Sequence, residues 1–225
     1  MRDGDQLILP LPHRAAMGRD DFLVTDSNRK AVAWIDRWPD WPGPLLDVHG
    51  PEACGKSHLL TVWCTRSGAR RLDGGELVDH DLLALAEVGA VAIDDADRVT
   101  DERAMLHLYN LLREGGGHML LAARQPATRW NLSLPDLRSR LAAGVAVGLE
   151  PPDDALLAAV LAKQFQDRQV AVRREVIQYL VPRMERSFAA AAALVEILDR
   201  ASLSGQRAIT VPMARNALNR HGPAA

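Results

Sequence analysis

Gly50-Pro51-Glu52-Ala53-Cys54-Gly55-Lys56-Ser57 is a complete G-x-x-x-x-G-K-S loop between a short apolar stretch, 45–49, and a helical pattern over 56–66. Such a loop surrounds phosphate oxygens with backbone N–H groups at a helix N-terminus. Lys56 would neutralise the β- and γ-phosphates, and the Ser57 hydroxyl would bind Mg²⁺. The flanking strand and helix argue against a chance Gly-rich turn. We therefore predict that ADP or ATP with Mg²⁺ is bound by Gly50, Pro51, Glu52, Ala53, Cys54, Gly55, Lys56, Ser57 and His58.

A second nucleotide signal, Val91-Ala92-Ile93-Asp94-Asp95, ends an apolar strand with two acids. Asp94 is placed to hold Mg²⁺ through water, and Asp95 to orient the attacking water. The alternative is that one of the two acids only caps the turn. Many P-loop ATPases carry the longer Glu at the second position, so we expect slow intrinsic hydrolysis.

Composition excludes several classes of protein. The 225 residues are 48% hydrophobic and 25% charged, which is typical of a globular protein, and the net charge of −2 argues against a dominant electrostatic grip on duplex DNA. Cys54 and Cys64 lack C-x-x-C spacing, which favours a reducing cytoplasm over a disulfide or zinc framework. No run of 18 apolar residues occurs, so no membrane span is predicted.

The order of elements predicts an α/β fold. A helix capped by Asp26 or Ser27 reaches Ile35 and is followed by a Pro-rich turn. Strands are predicted at 45–49, 69–72, 90–93, 118–123 and 144–148, and helices at 56–66, 80–87 and 101–114. This βαβ alternation indicates a mostly parallel sheet covered on both faces, over residues 21–150.

Composition changes at the two ends of this α/β region. Residues 1–20 carry Pro10 and Pro12 without helical periodicity and are predicted to form an extended tail. After Pro151-Pro152, helical patterns begin at Asp153 or Asp154 and continue through 173–181, 187–202 and 210–219. Pro182 should end or kink the second of these helices. Residues 151–225 are therefore predicted to be a small all-helical domain.

Two arginines, Arg138 and Arg140, precede the last predicted strand. Paired charges usually form a solvated face. A guanidinium presented from a rigid helix end is also what an arginine finger needs. Spacing alone leaves both interpretations open.

Several segments together carry a family resemblance. They are Phe22-Leu23-Val24, the phosphate loop, the Asp94-Asp95 strand, Leu108-Tyr109-Asn110, the stretch from Asn131 to Leu141, and Leu198-Asp199-Arg200-Ala201-Ser202. With them the chain resembles the AAA+ ATPases of the bacterial replication initiator DnaA family, and most closely the Hda group of regulators, which inactivate that initiator. The resemblance covers nearly all of the chain, and 131–141 is its most specific part. It implies an AAA+ P-loop NTPase domain followed by a helical lid.

The tail sequence Gln6-Leu7-Ile8-Leu9-Pro10-Leu11 looks like the peptide with which proteins of this group dock on the DNA polymerase sliding clamp. Gln6 would hydrogen-bond, and Leu7, Leu9, Pro10 and Leu11 would complete an extended peptide suited to a groove. The alternative is an arm packed on its own domain. No helix-turn-helix pattern follows the helical region in this sequence, which favours a regulator over an initiator.

The resemblance also implies site residues and partners. Arg140 matches the arginine-finger position, and Asn28 falls near the adenine pocket. Ala189 replaces a lid arginine, and Ala123 with Arg124 replaces a small polar or acidic residue, so the chain's own hydrolysis is expected to be weak. The implied partners are DnaA and the clamp (beta subunit), with DNA contacted through the clamp and self-association left open.

Two other functions remain as alternatives. One is an ATPase that acts on single-stranded DNA or loads a helicase. The other is a clamp-tethered adaptor that does not hydrolyse nucleotide.

Overall fold

The computed structural model describes residues 24–205 and 208–221, which form two compact units. The first unit is Asp26–Glu150. The second comprises the chain from Pro151 onward together with Val24 and Thr25. The predicted clamp peptide of Gln6, Leu7, Leu9, Pro10 and Leu11 lies outside the described residues.

The first unit is built on a five-stranded sheet in which every strand pair is parallel, in the order β2-β3-β4-β1-β5. This confirms the predicted mostly parallel sheet. Each strand lies within one residue of its predicted bounds: β1 Leu45–His49, β2 Arg70–Asp73, β3 Ala90–Asp94, β4 His118–Ala123 and β5 Val145–Gly148.

Five α-helices accompany this sheet: α1 Arg29–Arg37, α2 Lys56–Ser67, α3 Leu82–Glu87, α4 Glu102–Glu114 and α5 Pro135–Ala142. One core cluster joins Val91 and Leu121 of the sheet to Leu108 of α4 and Leu137 of α5. Helix α2 buries Leu59, Leu60, Val62 and Trp63. Burial of these apolar side chains is what holds the strand ends, and the loops that follow them, in place.

Helix α5 was not among the predicted helices. It has eight residues and buries only Leu137 and Leu141, one turn apart, so its apolar pattern is too short for periodicity to reveal. Pro135 occupies its first turn, where a missing N–H costs nothing.

The second unit is a group of four helices within its described part: α6 Asp154–Asp167, α7 Arg174–Leu180, α8 Phe188–Gly205 and α9 Val211–His221. The Asp153 carboxylate caps α6 by accepting from the Leu156 N–H at 2.8 Å. Leu161, Phe165 and Leu180 are fully buried in its core. Helix α7 ends before Pro182, as predicted.

Across the described ranges, no helix combines the length and the apolar character that crossing a membrane requires.

Candidate functional site

The carboxyl ends of the parallel strands bring the predicted nucleotide residues to one edge of the sheet. His49 at the end of β1 is in register with Ala123 at the end of β4, and Asp94 at the end of β3 is in register with Asp73 of β2. Ligands of open α/β sheets bind at this edge. The phosphate loop, Asp94 and Arg124 therefore belong to one region.

Residues 50–55 form a tight loop between β1 and α2. The Gly50 N–H donates to the Ala123 carbonyl at 3.1 Å, which ties the loop to the neighbouring strand. A Cβ added at Gly50 would collide with the Leu149 carbonyl oxygen. Gly55 has φ 106°, and Ala53 also has a positive φ of 57°. Such left-handed turns direct successive N–H groups to one side, which creates a concavity suited to anions.

Helix α2 begins directly after this loop, and its N-terminus carries no side-chain cap. The first N–H groups of any helix lack intrahelical partners, and the helix dipole is positive at this end. Glu52, Ser57 and His58 are exposed around it. The loop and the helix N-terminus together fit a polyphosphate.

Lys56 is buried, and its ammonium lies across the loop. Its Nζ donates to the Gly50 carbonyl at 2.9 Å and to the Pro51 carbonyl at 2.7 Å. The Cys54 Sγ lies 4.0 Å from Nζ, and burial raises the pKa of the Cys54 thiol, so this loop cysteine is a neutral packing residue. Lys56 thus places a positive charge where the loop surrounds its concavity.

Asp94 and Asp95 differ sharply in their surroundings. The Asp94 Oδ1 accepts from the Asp95 N–H at 3.1 Å, and its Oδ2 pairs with the Arg71 guanidinium at 2.6 Å. Asp95 has a left-handed backbone, with φ and ψ both 45°, and its carboxylate lies 3.7 Å from Arg98. Asp94 is therefore a shielded carboxylate at the sheet edge, whereas Asp95 points into a looser, exposed ion pair.

Asn28 is buried at the start of α1, near the loop. The adjacent Ser27 carbonyl accepts from the Glu150 N–H at 3.2 Å, and Leu149, next to Glu150, abuts Gly50. The residues after β5 therefore connect the Asn28 segment to the phosphate loop. The role of Asn28 near an adenine pocket stays a prediction.

Arg140 and Arg138 lie on α5, and they differ from each other in their contacts. The Arg140 side chain is exposed and makes no hydrogen bond or ion pair with the described residues. Arg138 donates to the Leu132 carbonyl. Arg138 is exposed as well, but its guanidinium bonds the segment that leads into α5.

Glu102 of α4 supports the same segment. Its carboxylate accepts from the Ser133 N–H at 2.9 Å, the Ser133 hydroxyl at 3.0 Å and the Leu134 N–H at 2.7 Å. These bonds lower the pKa of Glu102. The carboxylate thus serves as a cap for α5, whose own N-cap residue, Leu134, provides none.

We expect Glu102→Gln to lower the melting temperature at pH 7, because a neutral amide cannot accept all three bonds. A lowered pKa in the folded state gives stability that is present above the ordinary pKa of about 4.3 and is lost as the pH falls through the folded value. The difference in melting temperature between wild type and variant should therefore shrink between pH 7 and pH 3. An equal difference at both pH values would contradict this role of the ionised carboxylate.

A buried carboxylate in β1, next to His49, was not predicted from the sequence. Asp47 in the centre of β1 is 2% exposed, and its Oδ2 accepts from the Ala127 N–H at 2.8 Å. Its Oδ1 lies 3.9 Å from the His49 Nδ1. Burial raises the pKa of Asp47. The sequence does contain a signal, which is a charged residue inside an otherwise apolar parallel strand. Burying a charge without a partner costs free energy, so such a residue is expected to have a partner.

The two departures from the family pattern belong to different units. Ala189 is exposed in the first turn of α8 and offers no charge there. Arg124 follows β4, and its guanidinium lies 3.7 Å from the Glu52 carboxylate of the phosphate loop. Both groups of this second pair are more than half exposed, so the ion pair itself adds little stability.

Comparison with known proteins gives one family match in the second unit and several similar folds. Residues 153–218 match the family model described as the lid domain of Hda. The fold is similar to domain III of the Thermotoga maritima replication initiation protein DnaA, with a TM-score of 0.74 at 16% identity over 90% of this chain and 95% of that one.

Two further solved structures have the same fold. A replication initiator DnaA bound to AMPPCP and single-stranded DNA has a TM-score of 0.68 at 17% identity, over 84% of this chain and 67% of that chain. A single-residue variant of Thermotoga maritima RuvB has a TM-score of 0.66 at 14% identity, over 86% of this chain and 68% of that chain. The chain therefore has the fold of DnaA domain III, and residues 153–218 match the lid domain of Hda.

Proposed function

We propose that this chain binds ADP or ATP with Mg²⁺ at the Gly50–Ser57 loop and regulates a replication initiator. The observation that carries the nucleotide part is the buried Lys56 ammonium, held across a left-handed loop at an uncapped helix N-terminus. Backbone N–H groups of the loop and Lys56 would hold the phosphates, and Asn28 would lie towards the base. Ser57 and Asp94 would hold the Mg²⁺, which neutralises phosphate charge when bound.

The chain's own hydrolysis is proposed to be slow. Asp95 is the residue available to orient water, but it is short, and its carboxylate faces Arg98. Ala189 brings no positive charge to stabilise a developing negative charge on phosphate. The bound nucleotide would then serve mainly to set the active form of the protein.

The chemistry is proposed to occur on nucleotide held by a partner. Arg140 is an exposed guanidinium on a short helix whose entry is fixed by Glu102 and Arg138. A finger needs a rigid support and a charge that is not already neutralised, and Arg140 meets both conditions. We propose that Arg140 reaches ATP bound to the initiator DnaA, promotes its hydrolysis and so limits re-initiation.

The tail is proposed to tether this activity to the sliding clamp, and through the clamp to DNA. The triple change Gln6→Ala, Leu9→Ala and Leu11→Ala should abolish clamp binding, because peptide grooves take most of their affinity from a few anchors, at a cost on the order of several kcal/mol. Clamp affinity and melting temperature should be measured together. Surviving clamp affinity, or a collapsed melting temperature, would instead favour an arm packed on its own domain.

The proposal is tested by comparing two hydrolysis rates. One is the conversion of initiator-bound ATP to ADP with this chain and clamp loaded on DNA, and the other is turnover by this chain alone, with and without single-stranded DNA. The proposal is supported if hydrolysis of the initiator-bound ATP is accelerated and turnover by this chain alone stays slow. Strong DNA-stimulated turnover by this chain alone would favour the ATPase alternative, and no acceleration of either would favour the adaptor.

A further inference from the structure

The carboxylate proposed to hold Mg²⁺ already has a cationic partner inside this chain. The Arg71 Nη2 lies 2.6 Å from the Asp94 Oδ2. The Asp94 side chain is 14% exposed and the Arg71 side chain 42% exposed, so the pair is partly shielded from solvent. An arginine stays charged at every physiological pH, so the positive charge beside Asp94 is permanent.

The Arg71 guanidinium is also held from its other side. Its Nη1 donates to the Thr61 Oγ1 at 2.9 Å, and the Thr61 hydroxyl donates to the Ser57 carbonyl at 2.9 Å. Arg71 on β2 therefore links the end of β3 to the first turns of α2. Those are the two elements that carry the residues proposed for the metal, Asp94 and Ser57.

The contacts of Arg71 differ from those of Arg70, the neighbouring charged residue of β2. Side chains alternate across a strand, so the neighbouring Arg70 points to the other face of β2. Arg70 is exposed, and its side chain makes no hydrogen bond or ion pair with the described part of the chain. The Asp94 contact is thus specific to Arg71.

We infer that Arg71 competes with Mg²⁺ for Asp94 and so sets the metal requirement of nucleotide binding. The inference rests on the proposed nucleotide site. A divalent ion that approaches Asp94 must displace a guanidinium bonded at 2.6 Å, or share the carboxylate with a like charge. The wild-type protein therefore needs more Mg²⁺ to reach its full nucleotide affinity than the same loop would need without Arg71.

The test titrates MgCl₂ against binding of a fluorescent ADP analogue to the full chain. Arg71→Met frees Asp94 and should lower the half-saturating Mg²⁺ concentration about tenfold, the scale on which groups around a metal ligand alter metal affinity. Arg71→Lys keeps a charge and should retain most of the wild-type requirement. Arg70→Met is the matched control and should behave as wild type.

Thr61→Val provides a second route to the same result, because it removes the hydroxyl anchor and leaves the charge. It should lower the half-saturating Mg²⁺ concentration by a smaller factor, and it serves if Arg71→Met does not fold. ADP binding with an unchanged Mg²⁺ requirement in both variants would overturn the inference, as would an equal shift in Arg70→Met. A wild-type protein that binds no ADP at any Mg²⁺ concentration would overturn the nucleotide site, and the inference with it.

Discussion

Arg140→Ala should lower the stimulated rate of initiator-bound ATP hydrolysis about 10³-fold or more, which is the scale of an arginine finger. The physical reason is the loss of a guanidinium that would stabilise charge on the transferring phosphoryl group. ADP binding and clamp binding should remain, because Arg140 is exposed on α5 and contacts neither the phosphate loop nor Asp94 among the described residues. Single-turnover hydrolysis, calorimetry with ADP and a clamp-binding assay measure the three properties.

The control for this variant is Arg129→Ala rather than Arg138→Ala. Arg129 is exposed at the end of a short 3₁₀ helix, Ala127–Arg129, that packs beside α5. Arg138 is unsuitable because it bonds the Leu132 carbonyl and its loss would disturb α5. Equal loss from Arg129→Ala and Arg140→Ala, relieved at low salt, would indicate general electrostatic docking. Full stimulation by Arg140→Ala would reject the finger assignment.

Lys56→Ala should weaken ADP and ATP binding roughly a hundredfold, because a charge-assisted contact of about 3 kcal/mol to phosphate is lost. Its neighbours Cys54 and Ser57 do not replace the ammonium, since the Cys54 thiol is neutral and Ser57 carries no charge. Calorimetric titration with ADP·Mg and ATP·Mg measures the change in affinity.

Lys30→Ala is the matched control for Lys56→Ala, because Lys30 is an exposed lysine on α1. It should bind ADP as wild type does. The melting temperature of each variant should be followed as well, since Lys56 also bonds the Gly50 and Pro51 carbonyls. Unchanged nucleotide affinity in a folded Lys56→Ala protein would refute the phosphate-loop assignment.

The parts that could be predicted from the sequence are those with local signals. The strand, loop and helix around Gly50 can be recognised from their turn residues and apolar patterns. The bounds of the five strands differ from the predicted bounds by at most one residue. The end of α7 before Pro182 follows from proline geometry alone. These features depend on neighbours in the chain.

The parts that could not be predicted depend on residues far apart in sequence. The Arg71 contact to Asp94 joins positions 23 residues apart, and the Glu102 bonds to Ser133 and Leu134 join positions more than 30 apart. The sequence also leaves Arg138 and Arg140 undistinguished, because adjacent charges do not reveal that Arg138 bonds the Leu132 carbonyl. Such contacts appear only once the sheet order is known.

The most direct measurement follows labelled ATP on DnaA in a single turnover, with clamp loaded on DNA and this chain bound to ADP. We predict rapid conversion to ADP that requires the clamp, the tail residues Gln6, Leu9 and Leu11, and Arg140. A conversion rate equal to that of DnaA alone, with ADP and clamp both shown to be bound, would contradict the proposed function.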